Sequence, residues 1–262
     1  MSSEQKVTTT ADPKRLSSGL FSEAQVLWSL LRGQPGGGDH AERLTAFYGP
    51  QAAHYDAFRE RLLQGRGELL QGIWQRLTED QGSTLSLLEL GAGTGRNLSY
   101  LGESVTHFDR IDLVDLCEPL LDQARSKWQG HEQVHFHLGD ATTFQTQTPV
   151  DAIYFSYALT MIPNWFQAID NAIANLKPGG WLGVVDFYVS RRYPNPGSVR
   201  HSGFSRHFWP AWFAHDGVRP NQDLLPYLQQ RLRPELVHEL RAKVPYLPGL
   251  HVPYFLFIGQ KV

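Results

Sequence analysis

Two hydrophobic patterns divide the chain near residue 85. Before it, apolar positions recur at near-helical spacing. Leu16, Leu20, Phe21, Ala24, Leu27, Trp28 and Leu31 predict a short amphipathic helix over residues 16–32. Gln34-Pro35 and three glycines break it, and two further helical stretches follow, over residues 39–48 and 52–77, parted by Gly49-Pro50. Gly65, Gly67 and Gly72 weaken the interior of the last one. Residues 1–15 are polar, lack periodicity and read as disordered.

After residue 85 short apolar runs alternate with helical segments. Strands are predicted at residues 85–90, 111–116, 134–138, 150–155 and 181–186, with helices at 118–129 and 165–176 and a Lys177-Pro178-Gly179-Gly180 turn before the fifth strand. Runs that are apolar without alternation suit strands buried on both faces, so the pattern predicts βαβ units and a parallel sheet. Two more strand candidates close the chain, residues 237–244 and 254–262, separated by Pro245 and Pro248-Gly249.

Composition narrows the function classes. With 262 residues and one cysteine, the chain is no disulfide scaffold, and a reducing compartment is expected. A net charge of −2 argues against a nucleic-acid binder that relies on global basicity. No apolar run is long enough to span a bilayer, and the polar N-terminus lacks the apolar core of a secretory signal. The expectation is a soluble cytoplasmic protein with one main domain.

The chemistry concentrates in Glu89-Leu90-Gly91-Ala92-Gly93-Thr94-Gly95-Arg96-Asn97, at a strand-to-helix junction. Gly91, Gly93 and Gly95 allow a tight turn and a close approach of backbone to ligand, and the helix expected near Gly95 aims free N–H groups at that ligand. Asp115 stands 20 residues after Gly95, where a carboxylate can take the ribose hydroxyls of a nucleoside. The dinucleotide pattern G-x-G-x-x-G fails here, because its third glycine would fall on Arg96.

The glycine spacing, with Glu89 ahead of it, resembles motif I of the class I S-adenosylmethionine-dependent methyltransferases. Gly139-Asp140-Ala141 resembles the motif whose aspartate accepts from the adenine amino group, and residues 151–157 resemble motif IV, ending at Ser156 and Tyr157. The resemblance implies a Rossmann-like α/β fold: a mostly parallel seven-stranded sheet with an antiparallel C-terminal strand, N-terminal helices, and an inserted segment after strand five. It implies S-adenosyl-L-methionine as cofactor, held by Tyr55, Glu89, Gly91, Gly93, Gly95, Asn97, Asp115, Leu116, Asp140, Ala141 and Ser156, and no metal. Tyr48 and Tyr55 either close over the cofactor or pack on the sheet.

A narrower likeness lies past strand five. Val184-Val185-Asp186-Phe187-Tyr188, Arg206-His207-Phe208-Trp209-Pro210-Ala211-Trp212-Phe213 and Lys243-Val244-Pro245-Tyr246-Leu247-Pro248 resemble the diacylglyceryl-homoserine N-methyltransferases of betaine-lipid synthesis. That resemblance runs from about residue 48 to the C-terminus and implies trimethylation of a lipid-linked amino group. It further implies a separate transferase that makes the homoserine lipid, and location at the inner face of the cytoplasmic membrane. Residues 1–45 stand outside it as tail and helix; residues 46–262 form the methyltransferase domain, with residues 188–222 facing the lipid.

Within that family the candidate substrate-handling residues are four. Tyr157 offers an aromatic face to cationic sulfonium and ammonium groups. Arg191, or Arg192 beside it, suits the homoserine carboxylate. Asp186 either orients the ammonium or caps a turn, and His201 is a candidate proton acceptor. The aromatic residues of 188–213, Trp209 and Trp212 among them, are interleaved with arginines; they suit a membrane–water interface or a lid over the core. Three other readings stand beside this one: a methyltransferase of the same fold acting on a soluble amine, a phospholipid headgroup or a quinone-like phenol; a cofactor-binding partner without catalysis; and an NAD-dependent oxidoreductase.

Overall fold

In a computed structural model, residues 62–79, 84–214, 217–245 and 249–262 are described. The helices expected over residues 16–32 and 39–48, with Tyr48, Tyr55 and residues 246–248, lie outside them.

Seven strands form one sheet: β1 (Leu85–Leu90), β2 (Phe108–Asp115), β3 (Val134–Leu138), β4 (Val150–Ser156), β5 (Leu176–Phe187), β6 (Arg233–Lys243) and β7 (His251–Gln260). Their order is β3-β2-β1-β4-β5-β7-β6. The first five run parallel, and β7 runs antiparallel to both β5 and β6. The central strands β1, β4 and β7 are apolar without alternation because helices cover both faces. The edge strand β6 instead carries Arg233, Glu235, Glu239, Arg241 and Lys243, charges that discourage pairing with another chain.

Among the described residues there are five α-helices: α1 (Arg66–Glu79), α2 (Glu118–Lys127), α3 (Trp165–Asn175), α4 (Gly203–Phe213) and α5 (Leu224–Arg231). Helix α1 buries Leu69, Leu70, Ile73 and Leu77. It lies close to β5 because residue 183 is glycine: a Cβ there would stand 2.6 Å from Ile73 Cδ1 and 2.9 Å from Leu69 Cδ1. That packing brings the start of α1 to the carboxyl ends of the strands.

Three local expectations change. Within the stretch predicted as one helix over 52–77, residues 63–65 are non-helical, with Gly65 at φ +80°, and α1 begins at Arg66; residues 52–61 lie outside the described residues. The segment after the glycine turn is 3₁₀, Asn97–His107, interrupted at Gly102 (φ 55°, ψ −130°), rather than an α-helix. The Lys177–Gly180 turn is part of β5, anchored by Gly179 N–H donating to the Lys261 carbonyl at 3.0 Å.

Strand β1 leads outward to β2, while β4 leads the other way to β5. The crevice between the carboxyl ends of β1 and β4 is therefore the topological switch point, where open α/β sheets bind ligands.

Candidate active site

A cavity of about 290 Å³ opens at that crevice. Its walls are residues 91–94 with Arg96 and Asn97, residues 115–117 with Leu120, residues 139–142, and residues 156–158 with 161–164; Leu63 and Arg66 close the remaining side.

The glycine turn is shaped by backbone demands. Gly91 has φ +80°, and a Cβ there would stand 2.5 Å from Ala158 Cβ, so both torsion and space require glycine. The Gly91 and Ala92 N–H groups donate to the Val114 carbonyl at 2.9 and 3.0 Å, tying the turn to β2. Asp115, at the end of β2, accepts from Gly93 N–H at 2.7 Å through Oδ2 and from Cys117 N–H at 2.8 Å through Oδ1. A carboxylate so fixed is held in one orientation at the cavity wall. Asp140 Oδ1 likewise accepts from the Thr142 N–H and hydroxyl, both at 2.8 Å.

Below the turn sits a buried polar network. Glu89, fully buried, accepts from Asn97 Nδ2 at 2.6 Å and from the Tyr154 hydroxyl at 2.6 Å. Burial pushes its carboxyl up to about 8, against the pull of those two hydrogen bonds, so it is neutral near pH 7. Arg66 Nη1 lies 3.5 Å from Asn97 Oδ1, its Nε donates to the Leu63 carbonyl at 3.0 Å, and its guanidinium stands over the Tyr100 ring.

Tyr157 is the one described non-glycine residue with positive φ, 53°. Such a conformation survives only where its surroundings over-determine it. Its hydroxyl donates to the Gln64 carbonyl at 2.7 Å and its ring meets Phe187 at 4.7 Å. Burial holds the phenol well above its ordinary pKa, so it stays protonated. Beside it, Ser156 Oγ lines the cavity, is buried, and has no protein partner among the described residues.

The structure thus brings Gly91, Gly93, Asn97, Asp115, Leu116, Asp140, Ala141, Ser156 and Tyr157 around one hollow. The other described candidates do not line it. Glu89 lies beneath the cavity as a support. Gly95 is a packing position, where a Cβ would meet Ala124 and Leu113 at 3.1 Å and Trp128 at 3.2 Å. Asp186 is fully buried and spent on the Thr160 hydroxyl (2.7 Å), Thr160 N–H (3.1 Å) and its neighbour Phe187 N–H (2.8 Å), with burial pushing it up to about 7. Of the two readings open for Asp186, it caps the turn. Arg191 turns away from the cavity and pairs with Asp223 at 2.7 Å, and Arg192 lies over the Tyr193 ring. His201 is buried elsewhere; its Nδ1 accepts from Ser190 N–H at 3.0 Å, and burial lowers it to about 4, so it is neutral and takes no proton from this site. Tyr55 lies outside the described residues.

Sequence reasoning missed Leu63 and Arg66. The signal was Gly65-Arg66-Gly67, which reads as weak helix interior but is a helix start with a cation at its first position.

A serine hydroxyl with no partner among the described residues, a carboxylate fixed after β2, and a turn that admits no Cβ at Gly91 form a polar set suited to a nucleoside with an amino-acid tail. Residues 87–180 match the family described as a methyltransferase domain. The chain is an S-adenosylmethionine-dependent methyltransferase with a Rossmann-like methyltransferase fold. The methyltransferase is 26% identical over 214 residues to the ubiquinone/menaquinone biosynthesis C-methyltransferase UbiE of Enterobacter sp. (strain 638), covering 72% of this chain and 82% of that relative. Its fold is similar to the 1,6-didemethyltoxoflavin-N1-methyltransferase of Burkholderia thailandensis with bound S-adenosylhomocysteine, at TM-score 0.57 and 17% identity, covering 98% of this chain and 93% of the other. It is also similar to the N-methyltransferase NodS of Bradyrhizobium japonicum WM9 in complex with S-adenosyl-l-homocysteine, at TM-score 0.54 and 17% identity over 75% and 85% of the two chains. N- and C-methyltransferases both stand among these relatives, so the acceptor must be argued from the chain itself.

Proposed function

We propose that the methyltransferase acts on the amino group of a lipid-linked homoserine and carries it to the trimethylated betaine. The observation that carries this reading is where the most discriminating stretch of sequence folds. Arg206–Phe213 forms most of α4, and its Phe213 ring stacks on Phe187 at 4.8 Å, which in turn meets Tyr157 at the cavity wall. The segment resembling the betaine-lipid enzymes is thus packed behind the acceptor end of the site.

The bound donor would supply an electrophilic methyl group on a sulfonium. Everything else falls to the chain. Asp115, Asp140 and the turn at 91–93 would hold the nucleoside, and Ser156 Oγ offers a hydrogen-bonding group that has no partner among the described residues. The Tyr157 ring, backed by Phe187, gives an aromatic wall suited to cationic sulfonium and ammonium groups. Arg66 and Arg96 both stand in the cavity wall, and the carboxylate partner expected of Arg191 or Arg192 is assigned to Arg66, the more buried of the two. Among the described residues the cavity wall holds no histidine and no lysine. A neutral amine attacks without proton removal in the bond-forming step, and its proton can leave to water afterwards. Positioning alone can contribute roughly 7–11 kcal/mol, against a factor of about 10² to 10⁴ from a general base.

The quinone reading keeps one specific support, the UbiE relatives named as C-methyltransferases. Labelled-methyl transfer to diacylglyceryl-homoserine, to a demethylated quinone and to free homoserine decides between them. We expect label in the lipid amine alone. Label in the quinone ring and none in the amine overturns the proposal.

A further inference from the structure

We propose that the outer face of α4, with the loop before it, docks the protein onto an anionic bilayer surface. The proposal deepens the lipid-acceptor reading by naming the surface through which such a substrate would arrive. Helix α4 is aromatic on both sides. Trp209 and Phe213 are buried, 2% and 5% exposed, and fill the interior side. Phe204, Phe208 and Trp212, spaced by four residues, run along another stripe of the helix. Phe204 is 65% and Trp212 41% exposed; Phe208 stacks on Phe204 at 4.9 Å and meets Trp212 at 5.7 Å. Two large rings already fill the core side, so the exposed ones add little to folding.

This corrects the pairing of Trp209 with Trp212 at an interface: Trp209 is core, and the ridge is Phe204–Phe208–Trp212. The loop before the helix adds Tyr193, 73% exposed, with the Arg192 and Arg200 guanidiniums over its ring at 5.5 and 5.7 Å. Aromatic rings beside arginines suit the headgroup level of a bilayer.

Charge selects the occupant. Residues 187–215 contain four arginines and no Asp or Glu, in a chain whose net charge is −2. One of the four, Arg191, is neutralised by Asp223. Two copies meeting through this face would set cationic patches against each other, whereas an anionic lipid surface neutralises them. No helix among the described residues is long and apolar enough to cross a membrane, so docking would be reversible.

The test is co-sedimentation of the full chain with vesicles of phosphatidylcholine alone and of phosphatidylcholine with phosphatidylglycerol. We expect partition onto the anionic vesicles only, weakened by high salt. Arg192→Gln/Arg200→Gln should lower the partition coefficient roughly 30-fold, at about fivefold per arginine. Phe204→Ser/Trp212→Ser should lower it on the order of tenfold. Unchanged melting temperature and unchanged S-adenosylhomocysteine affinity in both variants separate lost docking from lost folding. A parent that ignores anionic vesicles, variants that partition like the parent, or a parent dimer that the Phe204→Ser/Trp212→Ser change dissolves would each overturn the docking face. If vesicle binding behaves as expected but the homoserine lipid accepts no label, the acceptor reading fails and the docking face stands.

Discussion

Replacing Gly91 by alanine probes the site at its tightest point. The new methyl carbon would stand 2.5 Å from Ala158 Cβ and 3.8 Å from Ala158 Cα. Two carbons in contact need about 3.5–4 Å, so one wall must retreat by about 1 Å or more. The turn cannot retreat freely, because the N–H groups of residues 91 and 92 are both bonded to the Val114 carbonyl. Residue 158 follows Tyr157, whose unusual backbone is held by the Gln64 bond, so movement there disturbs the opposite wall. Alanine at φ +80° costs roughly 1–2 kcal/mol, lowered unfolded-state entropy returns about 0.4–1, and overpacking adds about 1–3. The net is roughly 2–4 kcal/mol. Taken entirely by the donor-binding shape, that is a loss of affinity of about 30-fold to 900-fold. Calorimetric titration with S-adenosylhomocysteine, beside thermal melting, divides the cost between binding and folding. The double variant Gly91→Ala/Ala158→Gly removes the 2.5 Å contact and leaves only the torsional cost, so it should recover most of the loss. A single variant that binds and melts like the parent, or a double variant that recovers nothing, would falsify this account of the turn.

Two further outcomes follow from the polar groups. Glu89 titrates near 8 in the folded chain against an ordinary 4.5, so its contribution to stability is complete below about pH 4.5 and is lost as pH rises through about 8. Denaturant unfolding should show stability falling by on the order of a few kcal/mol between about pH 5 and about pH 8, with Asp186 acting in the same sense, and Glu89→Gln should flatten that slope; a variant with the parent's slope removes Glu89 from the explanation. Arg66→Leu should raise Kd for the donor or KM for the acceptor roughly 10- to 100-fold, the value of a buried charge-assisted hydrogen bond. Arg191→Leu, breaking a half-exposed pair, should change either by less than about threefold; the opposite ranking in steady-state kinetics returns Arg191 to the site.

The glycine turn, the carboxylate 20 residues after it and the strand-helix alternation were legible along the chain, whereas the antiparallel course of the final strand was implied only by the methyltransferase resemblance. Each of the first three is written in local backbone grammar: a turn that needs glycine, a run buried on both sides, an acid at a strand end. What stayed hidden was the direction in which side chains point. Arg66 and Arg191 are equally basic, yet one stands in the cavity wall and the other pairs with Asp223 outside it. Trp209 and Trp212 are three residues apart on one helix, and its rotation against Phe187 alone decides which is core. Glu89 and Asp186 stand near the ends of β1 and β5 as Asp115 ends β2, but they are fully buried while Asp115 lines the cavity. These outcomes depend on contacts such as that of Tyr157 with Gln64, 93 residues distant, and on helix phase against the sheet. Local spacing carries no record of either, because both arise only when distant segments compete for the same buried space.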